Sequence, residues 1–202
     1  MKAVIVAKTH MGQNLCVGAA SAEDGLLLRL IPRDGAEYHS WQSFDPDVGD
    51  LITISGTNSD QIDPPHTEDF LVDKFEPTGK RAKDLSRWIE SRCTVWTGGR
   101  ESLFDHKLHY TSTGKGHVFR SHSLPSCSVG FWQLPANFRL QPGTKRYLLQ
   151  SRQPVRVPFV GLGTPPDTIH AGSIVRVSLA RWWAPADGSI PEGCWLQLSG
   201  WY

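Results

Sequence analysis

Short apolar runs alternating with turn residues set the pattern of this chain. Lys2 to Lys8 (KAVIVAK), Asn14 to Ala19 (NLCVGA) and Leu26 to Pro32 (LLLRLIP) read as three strands, separated by Met11-Gly12 and by Glu23-Asp24-Gly25. Asp24-Gly25 is a hairpin signal, because a glycine there takes a positive φ without steric cost. After a polar loop rich in Asp, the runs Asp50 to Gly56 and Asp69 to Phe75 complete a set of five. One stretch carries helical spacing instead. In Gly79 to Arg92, Ala82, Leu85, Trp88 and Ile89 fall on one face, and Lys80, Arg81, Lys83, Arg87 and Arg92 fall on the others. Residues 97 to 123 are rich in Gly, Ser, Thr and His and read as a long surface connection with a short helix at its start. Strand patterning then returns in Ser128 to Leu134, Arg146 to Gln150, Val155 to Val160, Ser173 to Trp182 and Cys194 to Trp201, with prolines between the runs or at their edges.

Five short strands in roughly 75 residues suit a small Greek-key barrel of the OB type. The expected fold is therefore mainly β, two OB-like five-stranded barrels joined by a helix-containing connection. Their expected bounds are 1–78 and 127–202, with residues 79–126 as helix and basic connecting segment. A single large barrel or sandwich is the other architecture the pattern admits.

Charge changes this picture, because a net of +1 over 202 residues hides a segregation. Residues 1–78 hold 5 Lys/Arg against 13 Asp/Glu, residues 79–122 hold 9 against 4, and residues 123–202 hold 7 against 3. A basic part of this kind suits a polyanion partner, and equally the two halves could simply attract one another. No apolar run reaches the ~18 residues of a membrane helix, and the run after Met1-Lys2 is too short for a secretory core. Cys16, Cys93, Cys127 and Cys194 lie far apart without a C-x-x-C pair, as expected of free thiols in a reducing compartment. The cytoplasm is the expected location.

Lys8-Thr9-His10 with Gly12, Cys16-Val17-Gly18, and Gly25 with Leu28-Arg29-Leu30-Ile31-Pro32 resemble the opening of the bacterial dual OB-containing domain family. The closing Gly193-Cys194-Trp195-Leu196-Gln197-Leu198-Ser199-Gly200-Trp201 resembles the ending of the same group. The chain departs from the family pattern in three ways: Leu28 stands for an aromatic, Leu30 and Ile31 separate the Arg from its Pro, and Gln197 stands for a Lys. The resemblance implies two OB-like barrels over the whole chain and a nucleic-acid-related role near defence or mobile-element genes.

Catalytic templates do not fit. Gly114-Lys115-Gly116 lacks the Ser or Thr that follows a P-loop Lys, and His109 stands where that loop needs a Gly. Lys8 is followed by Thr-His-Met and reads as a strand-end cation rather than a nucleotidyl-transfer nucleophile. His106, His109, His117, His122 and Cys127 have the chemistry of zinc ligands without the spacing of a finger, so a solvated loop of neutral histidines is the reading taken. Asp45, Asp47, Asp50, Asp60 and Asp63 read as solvated carboxylates rather than a nuclease site. No cofactor and no enzyme activity are expected.

The remaining constellation suits nucleic acid, which OB folds hold with cations along a groove and rings on which bases stack. The candidate residues are Lys80, Arg81, Lys83, Trp132, Arg146, Tyr147, Arg152, Arg156, Arg176, Arg181 and Trp182. Arg181-Trp182-Trp183 sets a guanidinium group beside two rings, and of each adjacent aromatic pair, such as Phe131-Trp132, one ring should leave the core. The expected function is non-catalytic binding of single-stranded or distorted DNA or RNA through the backbone, as an accessory subunit. The alternative is an adaptor holding a partner protein subunit. Arg29, apolar on both sides in an acidic half, is expected to pair with a carboxylate such as Asp50 or Asp69.

Overall fold

The computed structural model describes residues 1–11, 14–33 and 46–202. Gly12 of the first expected turn, and Asp45 with most of the Asp-rich loop, lie outside the described residues.

Two compact units emerge. The first comprises Met1–Ile62, Glu68–Val95 and Tyr202, the second Asp63–Thr67 and Trp96–Trp201. This division differs from the expected one: the helix belongs to the first unit, and residues 96–126 belong to the second.

In the first unit β1 (Lys2–Met11), β2 (Asn14–Ser21) and β3 (Leu27–Pro32) follow one another antiparallel. The later strands β4 (Asp50–Asn58) and β5 (Asp69–Arg81) pair with each other. β5 also runs parallel to β3 and β4 antiparallel to β1, which closes a barrel in the order β1-β2-β3-β5-β4. Period-2 alternation sends Ala3, Ile5, Val17, Ala19, Leu28, Leu30, Ile52, Ile54, Phe70 and Val72 inward. Alanines at two of these positions, Ala3 and Ala19, let five strands close tightly around a narrow core.

The helix is shorter than its periodicity suggested. Gly79, Lys80 and Arg81 finish β5, with Lys80 opposite Leu51 and Arg81 opposite Asp50. α1 (Leu85–Arg92) begins only at Asp84, whose side chain accepts a 3.0 Å hydrogen bond from the Arg87 N–H and so caps the first turn. Ile89 is its buried residue. The C-terminal end of α1 meets the β2–β3 hairpin at Gly25, where φ is +73° and an added Cβ would lie 1.8 Å from the Arg92 carbonyl oxygen. Only glycine satisfies both conditions.

The second unit holds β6 from Trp96 on (Val95–Trp96), β7 (His109–Tyr110), β8 (Gly116–Phe119), β9 (Val129–Gln133), β10 (Phe138–Leu140), β11 (Arg146–Leu149), β12 (Val155–Pro158), β13 (Thr168–Ile169), β14 (Ile174–Leu179) and β15 (Gly193–Trp201). They form a four-stranded sheet, β12-β11-β10-β13, and a six-stranded sheet, β6-β9-β14-β15-β8-β7. β9 and β10 act as one strand bent around Pro135. A parallel bridge from Phe159 to Leu198 joins β12's end to β15. The resulting path, β9/β10-β11-β12-β15-β14, repeats the strand order of the first barrel as a partly open one.

The stretch expected to be a surface connection is instead part of this unit's core. Leu103, Phe104 and Val118 are fully buried. They fall in the two-residue apolar steps Leu103-Phe104 and Val118-Phe119 within a polar run, too short for any periodicity to mark them. Among the described residues no helix is long and apolar enough to cross a membrane.

Candidate nucleic-acid interface

Alternation along β11 and β12 sorts the second barrel's residues onto two faces. Tyr147, Leu149, Val155 and Val157 point into the core, which leaves Arg146 and Arg156 outside. Arg146 stands opposite Pro158 and Arg156 opposite Leu148, so the two guanidinium groups are diagonal neighbours on one outer surface. β15 adds Trp195 and Gln197 from its outer face, the β7–β8 turn adds Lys115, and the connection from β14 to β15 adds Trp183 and Ile190. Together they line a cleft of about 320 Å³. Among the described residues Lys115, Arg146 and Arg156 have no ion-pair partner. Arg156 Nε and Trp195 Nε1 are shielded from water and have no hydrogen-bond acceptor. An unsatisfied donor of this kind costs ~1–3 kcal/mol, so acceptor oxygens brought to this wall would find donors in want of them.

The other expected site residues are dispersed. Trp132 and Tyr147 are fully buried, which corrects the expectation that they offer faces to bases. The Trp132 indole donates to the Gly98 carbonyl at 3.0 Å, and the Tyr147 hydroxyl donates to the Pro166 carbonyl. Phe131 is equally buried, so neither ring of that pair leaves the interior. Arg176 is buried too, donating to Ser199 Oγ at 2.9 Å, because β14 is covered on both faces. Arg152 lies in a separate hollow of about 280 Å³ with Arg100 and Glu101. Arg181 is exposed. Trp182 is occupied: the Arg120 guanidinium sits 4.3 Å from its ring, and its N–H donates to the Pro64 carbonyl. In the first unit Arg81 is held by Asp47, Asp50 and the Val48 carbonyl, while Lys80 and Lys83 are exposed.

The histidines partly converge. His109 and His122 rings lie 3.8 Å apart, and His117 is 6.2–6.3 Å from each. His117 also packs 4.9 Å from Trp195, behind the cleft. Burial lowers the pKa of His117 and of His122, keeping both neutral at pH 7. Among the described residues no group of three or more His, Cys, Asp or Glu side chains is placed to hold a metal ion. Cys194 Sγ lies 3.6 Å from His66 Nε2, but both are buried and burial pushes the thiol up to about 12, which makes this a core contact.

Of the cleft residues, Trp195 and Lys115 were not among the expected binders. Trp195 was within reach of the pattern, since Cys194, Leu196 and Leu198 alternate inward and leave it outside. Trp183, expected from its place beside Arg181 and Trp182, lies in the connection from β14 to β15.

The family model described as the dual OB-containing domain matches residues 1–201. The chain belongs to the dual OB-containing domain family. No curated protein sequence matches it. Both units of this dual OB-containing chain are OB modules, a fold that commonly binds nucleic acids or proteins. OB barrels bind on the face of their second and third strands and on the loops beside it. In the second barrel those strands are β11 and β12, and the cleft lies on that face.

Proposed function

We propose that this chain is a non-catalytic module that holds single-stranded or distorted DNA or RNA, mainly through its backbone, on the outer face of the second barrel. The observation that carries this reading is the cleft where Lys115, Arg146 and Arg156 meet Trp183 and Trp195, its cations unmatched by carboxylates among the described residues. Cations of this kind release counterions when they meet phosphates, so affinity falls with salt. Such a module would serve as an accessory cytoplasmic subunit of a bacterial defence or DNA-processing system, the setting the family resemblance implies. Fluorescence anisotropy with labelled single- and double-stranded oligonucleotides at several salt concentrations tests it. Three phosphate contacts give a log–log salt slope of about −2 for single strands. Failure of every oligonucleotide to bind at low salt would remove the reading.

The adaptor reading draws on the first unit, where Leu26 is 63% and Ile62 56% exposed in the acidic part of the chain. Purifying the protein from its own cells distinguishes the two. A stoichiometric protein partner without nucleic acid favours the adaptor.

A further inference from the structure

Trp183 and Ile190 are 55% and 38% exposed, and both stand on the connection from β14 to β15 at the lip of the same cleft. An indole left this open surrenders the burial that normally stabilises it, and two large apolar side chains exposed on one rim mark a place of contact. The exposure does not come from an untethered loop. Trp183 exchanges both backbone hydrogen bonds with Gly193, at 2.9 and 3.1 Å. Just before it, Trp182 is fixed by the Pro64 carbonyl and by the guanidinium of Arg120. Arg120 in turn is paired with Asp63 and with Glu192 at the far end of the same connection. The backbone that presents Trp183 is thus held at both ends while its ring stays open.

Across the cleft stand Lys115, Arg146 and Arg156, and Trp195 forms a second aromatic wall. A volume of about 320 Å³ is at the small end of ligand sites, which run from ~300 to 1,000 Å³. It suits one flat group with an attached phosphate. A duplex keeps its base faces stacked on one another and has none to offer an indole, whereas an unpaired base does.

We infer that the cleft is a slot for one unpaired nucleobase, with Trp183 as its stacking platform and Arg120 as the positioning residue that fixes the platform's backbone. This rests on the nucleic-acid reading above and deepens it, since contact is then with a base as well as with phosphates.

The test compares a labelled single strand, an abasic strand of the same length and the corresponding duplex, each titrated by anisotropy against wild type, Trp183→Ala and Trp183→Phe. Wild type should prefer the base-bearing single strand over the abasic strand by about tenfold, within what one stacked base contributes. Trp183→Ala should abolish that preference and leave abasic affinity unchanged, and Trp183→Phe should retain most of it. Equal binding of base-bearing and abasic strands by wild type would overturn the slot and leave backbone binding standing, as would a Trp183→Ala variant that keeps the preference or weakens both strands alike. Binding of no probe would overturn both readings.

Discussion

In the first barrel the arginines on strands and strand ends are each met by a carboxylate: Arg29 by Asp69, Arg33 by Asp73, and Arg81 by Asp47 and Asp50. In the second, Lys115, Arg146 and Arg156 surround a cleft with no such partner among the described residues. The cores differ as well. Among the described residues Phe70 is the one ring in the first buried cluster, which is otherwise aliphatic, whereas the second packs Phe104, Trp132, Phe138, Tyr147 and Phe159. Edge-on pairs such as Trp132 with Phe138, at 5.8 Å and 78°, join those rings. One strand order thus carries either a neutralised or a cationic surface. The distribution of acids along the chain decides which, because 13 of the 20 Asp and Glu fall in residues 1–78.

The largest effect that could break this comparison lies in the second core. Trp132→Ala removes a fully buried indole and its bond to Gly98, and should destabilise that unit by about 3–5 kcal/mol in denaturant unfolding. A loss of oligonucleotide affinity with unchanged stability would return Trp132 to the binding face. Next comes Arg29→Ala, which strands the Asp69 carboxylate; side-chain exposures of 14% and 11% make the pair a shielded one. A loss of about 3 kcal/mol is expected in melting or denaturant curves, with binding untouched. Unchanged melting with weakened binding would move the ligand face to the first barrel.

Arg146→Ala combined with Arg156→Ala sharpens the contrast from the other side. Stability should hold, and the log–log salt slope for single strands should become shallower by about 1.4. The same slope after an Arg33→Ala change, where the cation already has Asp73, should stay as in wild type.

The smallest effect is on pH dependence. Desolvation first, and then neighbouring imidazoles, lower the pKa of His117 and His122 in the folded protein. The unfolded chain therefore takes up protons near 6.5, before the folded one does. Stability should be full above that pH and decline below it. Replacing both by Asn should flatten this decline in melting temperature measured across the acid range, and an unaltered pH profile would place its origin in other groups.

Much of the first barrel was legible in the residues alone. All five strands, the Asp24-Gly25 turn and the fate of Arg29 follow from alternation, turn chemistry and the surplus of acids around one arginine. The helix start was misplaced because Gly79, Lys80 and Arg81 fit a helical charge pattern, while their pairing with Asp50 and Leu51 depends on a strand nearly thirty residues earlier. In the second unit β8 and the buried Leu103 and Phe104 escaped notice, since two-residue apolar steps in a polar run are too short to carry a period.

The choice of binding residues marks the boundary most clearly. Arg146 and Tyr147 are adjacent on one strand, so alternation alone requires them to face opposite ways; both could not line one surface. Arg156 is separated from Arg146 by a turn, and only the register that sets Leu148 against Arg156 makes them neighbours. The sequence by itself determined the β class, the two strand sets and the separation of charge, because these depend on local periodicity and composition. Tertiary structure decided which cations keep partners, which rings are covered on both sides and where Trp183 stands. Those depend on side chains from distant strands meeting in space, and a linear pattern does not encode such meetings.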